Sequence, residues 1–482
     1  MNYRPITRRR ARLGLLVLLG TPIWASAAPG PTPANAATLD TPARRPVAVV
    51  IDDYVKLGLA SNLALQSANL EVERTEAALD AARARFFPEA SLVARYTRAE
   101  GGREISLPLG AAFNPVYLTL NELLKANGQA PRFGTIEDPR FSLIRPREQD
   151  TRVTVRQPLF APAIPAAVRA QRAALEASRY AQLAVTNRLR RDITVAYVDW
   201  SRASRASDIV AASRNLLAEN LRITESLYAN GKLTQDQVLR AKAELLGLDQ
   251  QLLEARNGRD QLQSYLNFLL NRPLETAIES SDVDGEIART DADLVKLRDA
   301  AIAERPELAQ AEQAVNAAGA RASIARAARL PTLALAVDGG TQGERYEFGT
   351  GRNFSTISLL LNWTLFDGGA RSAEERAARI GERQARTQRD QLATQIELEV
   401  QQSLDRLRTS AASLQTAAAR AAAAQAAFRI ATRKRDEGMM SQLEFLDART
   451  SLSAAELNLN AVRYEVLARQ ADLDYVTGGA RH

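Results

Sequence analysis

The chain has 482 residues, no cysteine and one histidine, His482. Disulfides, thiolate metal sites, cysteine catalysis and acylation of an N-terminal cysteine are therefore excluded, and the single histidine leaves almost no material for an imidazole metal site and no support for serine–histidine catalysis. The formal net charge is +7, but five arginines and no acid lie in residues 1–27, so residues 28–482 carry only +2 and give no footprint for nucleic acid.

The N-terminus reads as an export signal. Arg4, Arg8, Arg9, Arg10 and Arg12 form a basic region, Leu13 to Trp24 an apolar run too short to span a membrane, and Ala25-Ser26-Ala27 a small-residue cleavage site. Residues 1–27 are expected to be a signal peptide and 28–50 a flexible, proline-rich leader. From Ile51, a helical pattern carried by Leu57, Leu63, Leu65, Leu70 and Leu79 runs until just before Pro88. A period-2 run follows, with Ala90, Leu92, Ala94 and Tyr96 on one face and Ser91, Val93, Arg95 and Thr97 on the other. Residues 99–150 read as a long loop with a small helix at Val116 to Lys125. A second strand then places Val153, Val155 and Leu159 opposite Arg152, Thr154 and Arg156. Such alternation fits a lipid-facing barrel strand and a half-buried soluble strand equally.

From Ala166 to Asn230 there is neither Gly nor Pro. One helix over that stretch would be about 100 Å long, far beyond the usual length of about 11–12 residues. Leu189, Ile193, Tyr197, Trp200, Leu217, Leu221 and Leu227 trace its apolar stripe. Gly231 ends it, and Thr234 is placed to cap a second helix that runs to about Leu270. So short a break predicts an antiparallel helical hairpin. Residues 271–305 form a mixed linker with a helix from Asp293 to Glu304.

The chain then repeats itself. Pro88 and Pro331 open equivalent strands, and the second carries Leu333, Leu335 and Val337 on one face. Another strand, Ser355 to Phe366, has Ile357, Leu359, Leu361, Trp363 and Leu365 on one face, with Ser358, Asn362 and Thr364 on the other. A second long helix leads to Gly438, where Gly231, Thr234, Gln235, Leu239 and Ala241 are matched by Gly438, Ser441, Gln442, Leu446 and Ala448. A closing helix runs to about Val476. Residues 51–270 and 306–477 are thus two repeats of helix, strand, loop, strand, long helix, turn and helix, with 478–482 a tail. Four strands cannot close a membrane barrel alone, because such barrels need roughly eight or more. The alternatives are a soluble sheet or an oligomer that pools strands.

These features together resemble the TolC family of outer membrane efflux proteins over essentially all of the chain after the signal. The resemblance rests on Pro88 and Pro331, Gln157-Pro158-Leu159-Phe160, Leu365-Phe366-Asp367-Gly368-Gly369, Arg305-Pro306-Glu307-Leu308 and the two glycine turns. It implies a mixed fold of α-helix and transmembrane β-strand. Each protomer of a homotrimer would give four strands to one twelve-stranded β-barrel in outer membrane lipid, continued by an α-helical barrel across the periplasm. It further implies no catalysis, no cofactor and no metal, and a periplasmic adaptor that links the channel to an inner-membrane pump. Drug efflux, metal efflux and type I protein secretion all stay open. The rival reading is a periplasmic coiled-coil scaffold or adaptor with no membrane barrel.

Within the resemblance, Gly231, Leu233, Thr234, Gly438, Met440 and Ser441 are expected to dock the adaptor, although turn and cap chemistry alone explains them too. Arg435, Glu444 and Asp447 are the gate candidates. Glu444 and Asp447 are three residues apart, hence on one helix face, and would form acidic rings in a threefold assembly. The family pattern often has a tyrosine where Arg435 stands and an arginine where Met440 stands.

Overall fold

The computed structural model describes residues 45–281 and 291–479. The expected signal peptide, most of the leader and residues 480–482 lie outside that range, as do residues 282–290 of the linker.

The first repeat opens with α1 (Val47–Ser61) and α2 (Leu63–Ala84). The single helical pattern read from Ile51 is in fact divided. At Asn62 the backbone is extended, and the side chain accepts from the N–H groups of Ala64 and Leu65 at 2.9 and 3.1 Å. That is N-cap geometry, and the Asn62 amide also donates to the Leu269 carbonyl at 2.8 Å. The break thereby pins the start of α2 to the end of a helix two hundred residues later.

Next come β1 (Glu89–Arg98), a small antiparallel pair β2 (Glu104–Ser106) and β3 (Arg140–Ser142) flanking α3 (Leu109–Ala126), and β4 (Arg147–Phe160). The expected loop thus holds a short two-stranded sheet and a helix seven residues longer at its start than predicted, with Pro115 inside it. α4 (Ala163–Ala229) and α5 (Gln235–Leu269) form the first long hairpin. α6 (Leu294–Glu304) is capped by Asp293, and α7 (Pro306–Ala327) begins with proline at its first position, where the missing N–H costs nothing. β5 (Thr332–Gly343) and β6 (Asn353–Asn362) complete the sheet, and α8 (Ala370–Asp436) and α9 (Gln442–Val476) form the second long hairpin.

The duplication is visible in lengths: α2 and α7 have 22 residues, α4 and α8 have 67, and α5 and α9 have 35. A 67-residue helix is about 100 Å long. β6 stops four residues before the predicted Phe366. There Trp363 turns its indole N–H onto the Arg329 carbonyl at 3.2 Å, and the Asp367 carboxylate accepts from the N–H groups of Gly369 and Arg371. Asp367 and the left-handed glycines Gly368 and Gly369 make that junction a helix start.

The core is strung along the helices. Val50, Leu65, Leu189, Ile193, Tyr197, Trp200, Leu266 and Tyr464 bring α1, α2, α4, α5 and α9 together midway. Gly58 of α1 lies so close to Ile193 that a Cβ there would collide with it. A second cluster joins Leu297, Ile396, Val400, Leu404, Leu407 and Leu473. At the α6–α7 junction the buried Arg305 bonds Glu307 at 3.0 Å and Glu399 at 2.6 Å beneath the Tyr475 ring, whose hydroxyl donates to Glu307 at 3.1 Å.

Candidate functional site

Two regions hold the candidate features, the four-stranded sheet and the turn end of the long hairpins. The sheet order is β1-β4-β5-β6, antiparallel throughout, so β1 and β6 are its edges. The register aligns Ala90, Val155, Val337 and Ile357 across all four strands, and Leu335 with Leu359 and Leu333 with Leu361 beside them. The predicted apolar faces of separate strands therefore merge into one apolar face, on which Leu92 is 70% and Ile357 77% exposed. The opposite face is polar and internally bonded. Asp338 accepts from Thr154 at 2.6 Å and from Thr356 at 3.2 Å, and Asp150 pairs with Arg152 at 3.0 Å and Arg95 at 3.6 Å. At the ends nearest the helices, Phe86, Phe87, Phe160, Trp363 and Phe366 are exposed. Apolar outside, polar inside and an aromatic rim is the signature of a membrane barrel wall. No helix among the described residues is long and apolar enough to cross a membrane, which says nothing of strands.

At the far end of the hairpins, two turns repeat the same hydrogen bonds. Gly231 N–H donates to the Tyr228 carbonyl at 2.9 Å and Lys232 N–H to Leu227 at 2.9 Å; Gly438 N–H donates to Arg435 at 2.9 Å and Met439 N–H to Lys434 at 2.8 Å. Gly231 (φ 69°) and Gly438 (φ 73°) take the left-handed conformation that closes a helix C-terminus. Thr234 stands at the expected cap position, but its hydroxyl caps no backbone N–H. Ser441, its counterpart, makes a full capping box. Its hydroxyl accepts from Glu444 N–H at 3.3 Å, and the Glu444 carboxylate accepts from Ser441 N–H at 3.0 Å and from its hydroxyl at 2.9 Å. Those bonds from Ser441, with the charge of Lys434, hold the Glu444 carboxyl below the usual carboxylate range. Asp447 is exposed one turn further on, while Leu233 and Met440 are half-buried.

Near the turns, Arg435 is one of the side chains that tie the second hairpin to α4. Its guanidinium lies 4.0 Å from the centre of the buried Phe445 ring, reaches the Asn220 side-chain oxygen of α4 at 3.3 Å and pairs with Asp436 at 3.2 Å. Phe445 lies against Phe428 with ring centres 5.5 Å apart, and Arg449 lies over the Phe428 ring at 5.5 Å. Arg449 bonds the Ser213 hydroxyl and has no salt bridge among the described residues. Burial pushes its pKa down, against the pull of Glu456. Sequence reasoning missed this Arg–Phe–Phe–Arg stack. Its available signal was that Phe428 and Phe445 are the only phenylalanines in α8 and α9. Their counterparts in the first repeat are Leu221 and Val238, so the second hairpin alone carries the stack.

The profile of the family described as "Outer membrane efflux protein" matches residues 55–272 and 297–479. The proteases secretion protein PrtF of Dickeya chrysanthemi is 25% identical over 290 residues, covering 58% of this chain and 63% of that protein. The alkaline protease secretion protein AprF of Pseudomonas aeruginosa is 26% identical over 282 residues, covering 56% and 57% respectively. The chain thus spans about three-fifths of the length of these curated relatives. Among solved structures, the CmeC outer membrane channel of Campylobacter jejuni superimposes with a TM-score of 0.74 at 17% identity, covering 92% of this chain and 90% of that one. The outer membrane protein VceC of Vibrio cholerae does so at 0.71 and 19%, covering 90% and 97%. These likenesses show the fold, and the profile match over both repeats shows the kinship: the chain belongs to the outer membrane efflux protein family, and its place is the outer membrane.

Proposed function

We propose that three copies pool their sheets into one twelve-stranded barrel, continued by a helical tunnel through the periplasm. The conduit would carry substrate outward from a periplasmic adaptor coupled to an inner-membrane pump. One observation carries this reading: a sheet with an apolar face, a polar face and two unpaired edges, joined to helices about 100 Å long. In lipid, each unpaired backbone group costs several kcal/mol, so the β1 edge has to meet a strand of another chain, and β6 of a neighbour closes the ring. A helical scaffold without a barrel has no use for such a sheet. Protein secretion is the activity favoured by the names of the two curated relatives. Small-molecule efflux is the second reading, favoured by the family description.

In this reading Gly231, Leu233, Thr234, Gly438, Met440 and Ser441 receive the adaptor, and Arg435, Glu444 and Asp447 line the constriction. The exposed carboxylates of Glu444 and Asp447, repeated by threefold symmetry, form rings that focus potential and favour cations. Purified protein in planar bilayers is expected to form a cation-selective channel, and Glu444→Gln with Asp447→Asn to lower that selectivity. Intact channels with unchanged selectivity remove the ring assignment. Recovery of the wild-type protein in the soluble fraction, with no channel activity, removes the conduit.

A further inference from the structure

We infer that α3, in the segment joining β1 to β4, is an interaction surface for the same helix of neighbouring copies. The three helices would form an intersubunit clasp beyond the outer end of the sheet, and this rests on the trimeric reading above. Leu109, Phe113, Val116, Leu120 and Leu123 recur at alternating spacings of four and three residues, the repeat that lines a coiled-coil seam. Each is exposed in the protomer.

The flank of the helix is already occupied. Asn114 donates to the Ile136 carbonyl at 2.9 Å and accepts from the Ile136 N–H at 2.7 Å. One turn pair later, Asn121 donates to the Phe133 carbonyl at 2.7 Å and accepts from the Phe133 N–H at 3.1 Å. Gly110 N–H donates to Asp138 at 2.6 Å, and a Cβ at Gly110 would collide with the Ile136 carbonyl. Residues 132–138 are therefore stitched along one side, and Tyr117 stacks on Phe133 at 5.1 Å. The helix is a built rod with its seam directed away from its own strap.

Two further observations select a second copy over lipid as the occupant. The edge strand β1, which has to pair with another chain, leads within ten residues, by way of the short strand β2, to α3, so the helix adjoins the intersubunit edge in the chain. A helix that lies on an anionic leaflet is rich in Lys and Arg on its polar face, whereas α3 carries one acid, Glu122, and one base, Lys125. Its seam is only about two heptads long, too short to associate alone. Tethering by a common barrel supplies an effective concentration in the millimolar range, roughly, for short linkers.

The absence of native cysteine makes the test direct. Val116→Cys, Leu120→Cys and, on the far side of the helix, Lys125→Cys are introduced singly into the full-length protein in its membrane and oxidised. Bridging requires Cα atoms within about 7 Å, so the two seam variants are expected to give roughly tenfold more disulfide-linked dimer than Lys125→Cys. Equal cross-linking at all three positions overturns the clasp. So does an absence of seam cross-links when a lipid-soluble quencher reaches a label on Val116, a result that gives the seam to the outer leaflet. Unheated gels read the trimer separately: loss of the trimer in the wild type overturns the assembly reading, and retention with failed cross-linking overturns only the clasp.

Discussion

Burial alone lowers the basicity of an arginine, and two buried arginines here go opposite ways because of their partners. Burial acts first on Arg305, but the bonds from Glu307 and Glu399 outweigh it and hold the guanidinium firmly protonated. Arg449 has a hydroxyl and a ring in place of carboxylates, and its pKa falls. The same contest runs at Glu307, where burial pushes the carboxyl up and the bond from Arg305 brings it below the ordinary value. A depressed folded value means the stabilisation is complete above the unfolded carboxylate value of about 4.3 and is lost as pH falls through the folded value. The thermal unfolding midpoint of the wild type in detergent is therefore expected to drop between about pH 5 and pH 3. Glu307→Gln should start lower at neutral pH and lose less over that interval; an identical pH profile would falsify the role of this carboxylate. The string Arg305-Pro306-Glu307 was legible in the sequence as a family-like motif at the opening of the second repeat. Glu399 and Tyr475 were not, because their contact with it is made across 94 and 168 residues, where no local spacing points.

Elements were legible where a single physical rule governs them. The absence of Gly and Pro over residues 166–230 marked α4, and Gly231 marked its end, because a left-handed C-cap needs no other partner. Three elements followed a rule the pattern hides. α2 starts at a cap inside an unbroken leucine pattern, since Asn62 also serves the end of α5. α3 starts before Pro115, whose lost hydrogen bond is tolerated in a helix strapped by Asn114 and Asn121. β6 stops at Asn362, after which Trp363 turns onto the Arg329 carbonyl and Asp367 captures the N–H groups of Gly369 and Arg371 for α8. The turns give an element-scale prediction. Nothing lies within 4 Å of a Cβ built on Gly438 or Gly231, so substitution there meets only backbone strain. Gly438→Val should cost about 1–2 kcal/mol in the left-handed region, and Gly438→Asn much less. Hydrogen exchange at residues 434–445 reads the difference, and equal protection in both variants would mean that φ at this turn is free to relax.

At the scale of the whole molecule the sheet has to be closed, and its two faces have to be told apart by their surroundings. The alternation along each strand was visible in the sequence, but not the register that brings Ala90, Val155, Val337 and Ile357 into one row. Register depends on pairing across hundreds of residues, whereas alternation is local. Once aligned, the row makes a strong asymmetry. Arginine is native to the polar face at positions 152 and 156, and Asp150 and Asp338 accompany it there. A cation at the middle of the apolar face has no such partner, and in lipid it costs about 2–4 kcal/mol near the midplane. Ile357→Arg and Ser358→Arg place the same charge on neighbouring residues of one strand, pointing to opposite faces. The first is expected to reduce the amount of assembled protein in the outer membrane severalfold, and the second to leave it near wild type while altering conductance. If both variants assemble equally, the apolar face does not meet lipid, and a soluble sheet packed against another partner takes the place of the barrel wall.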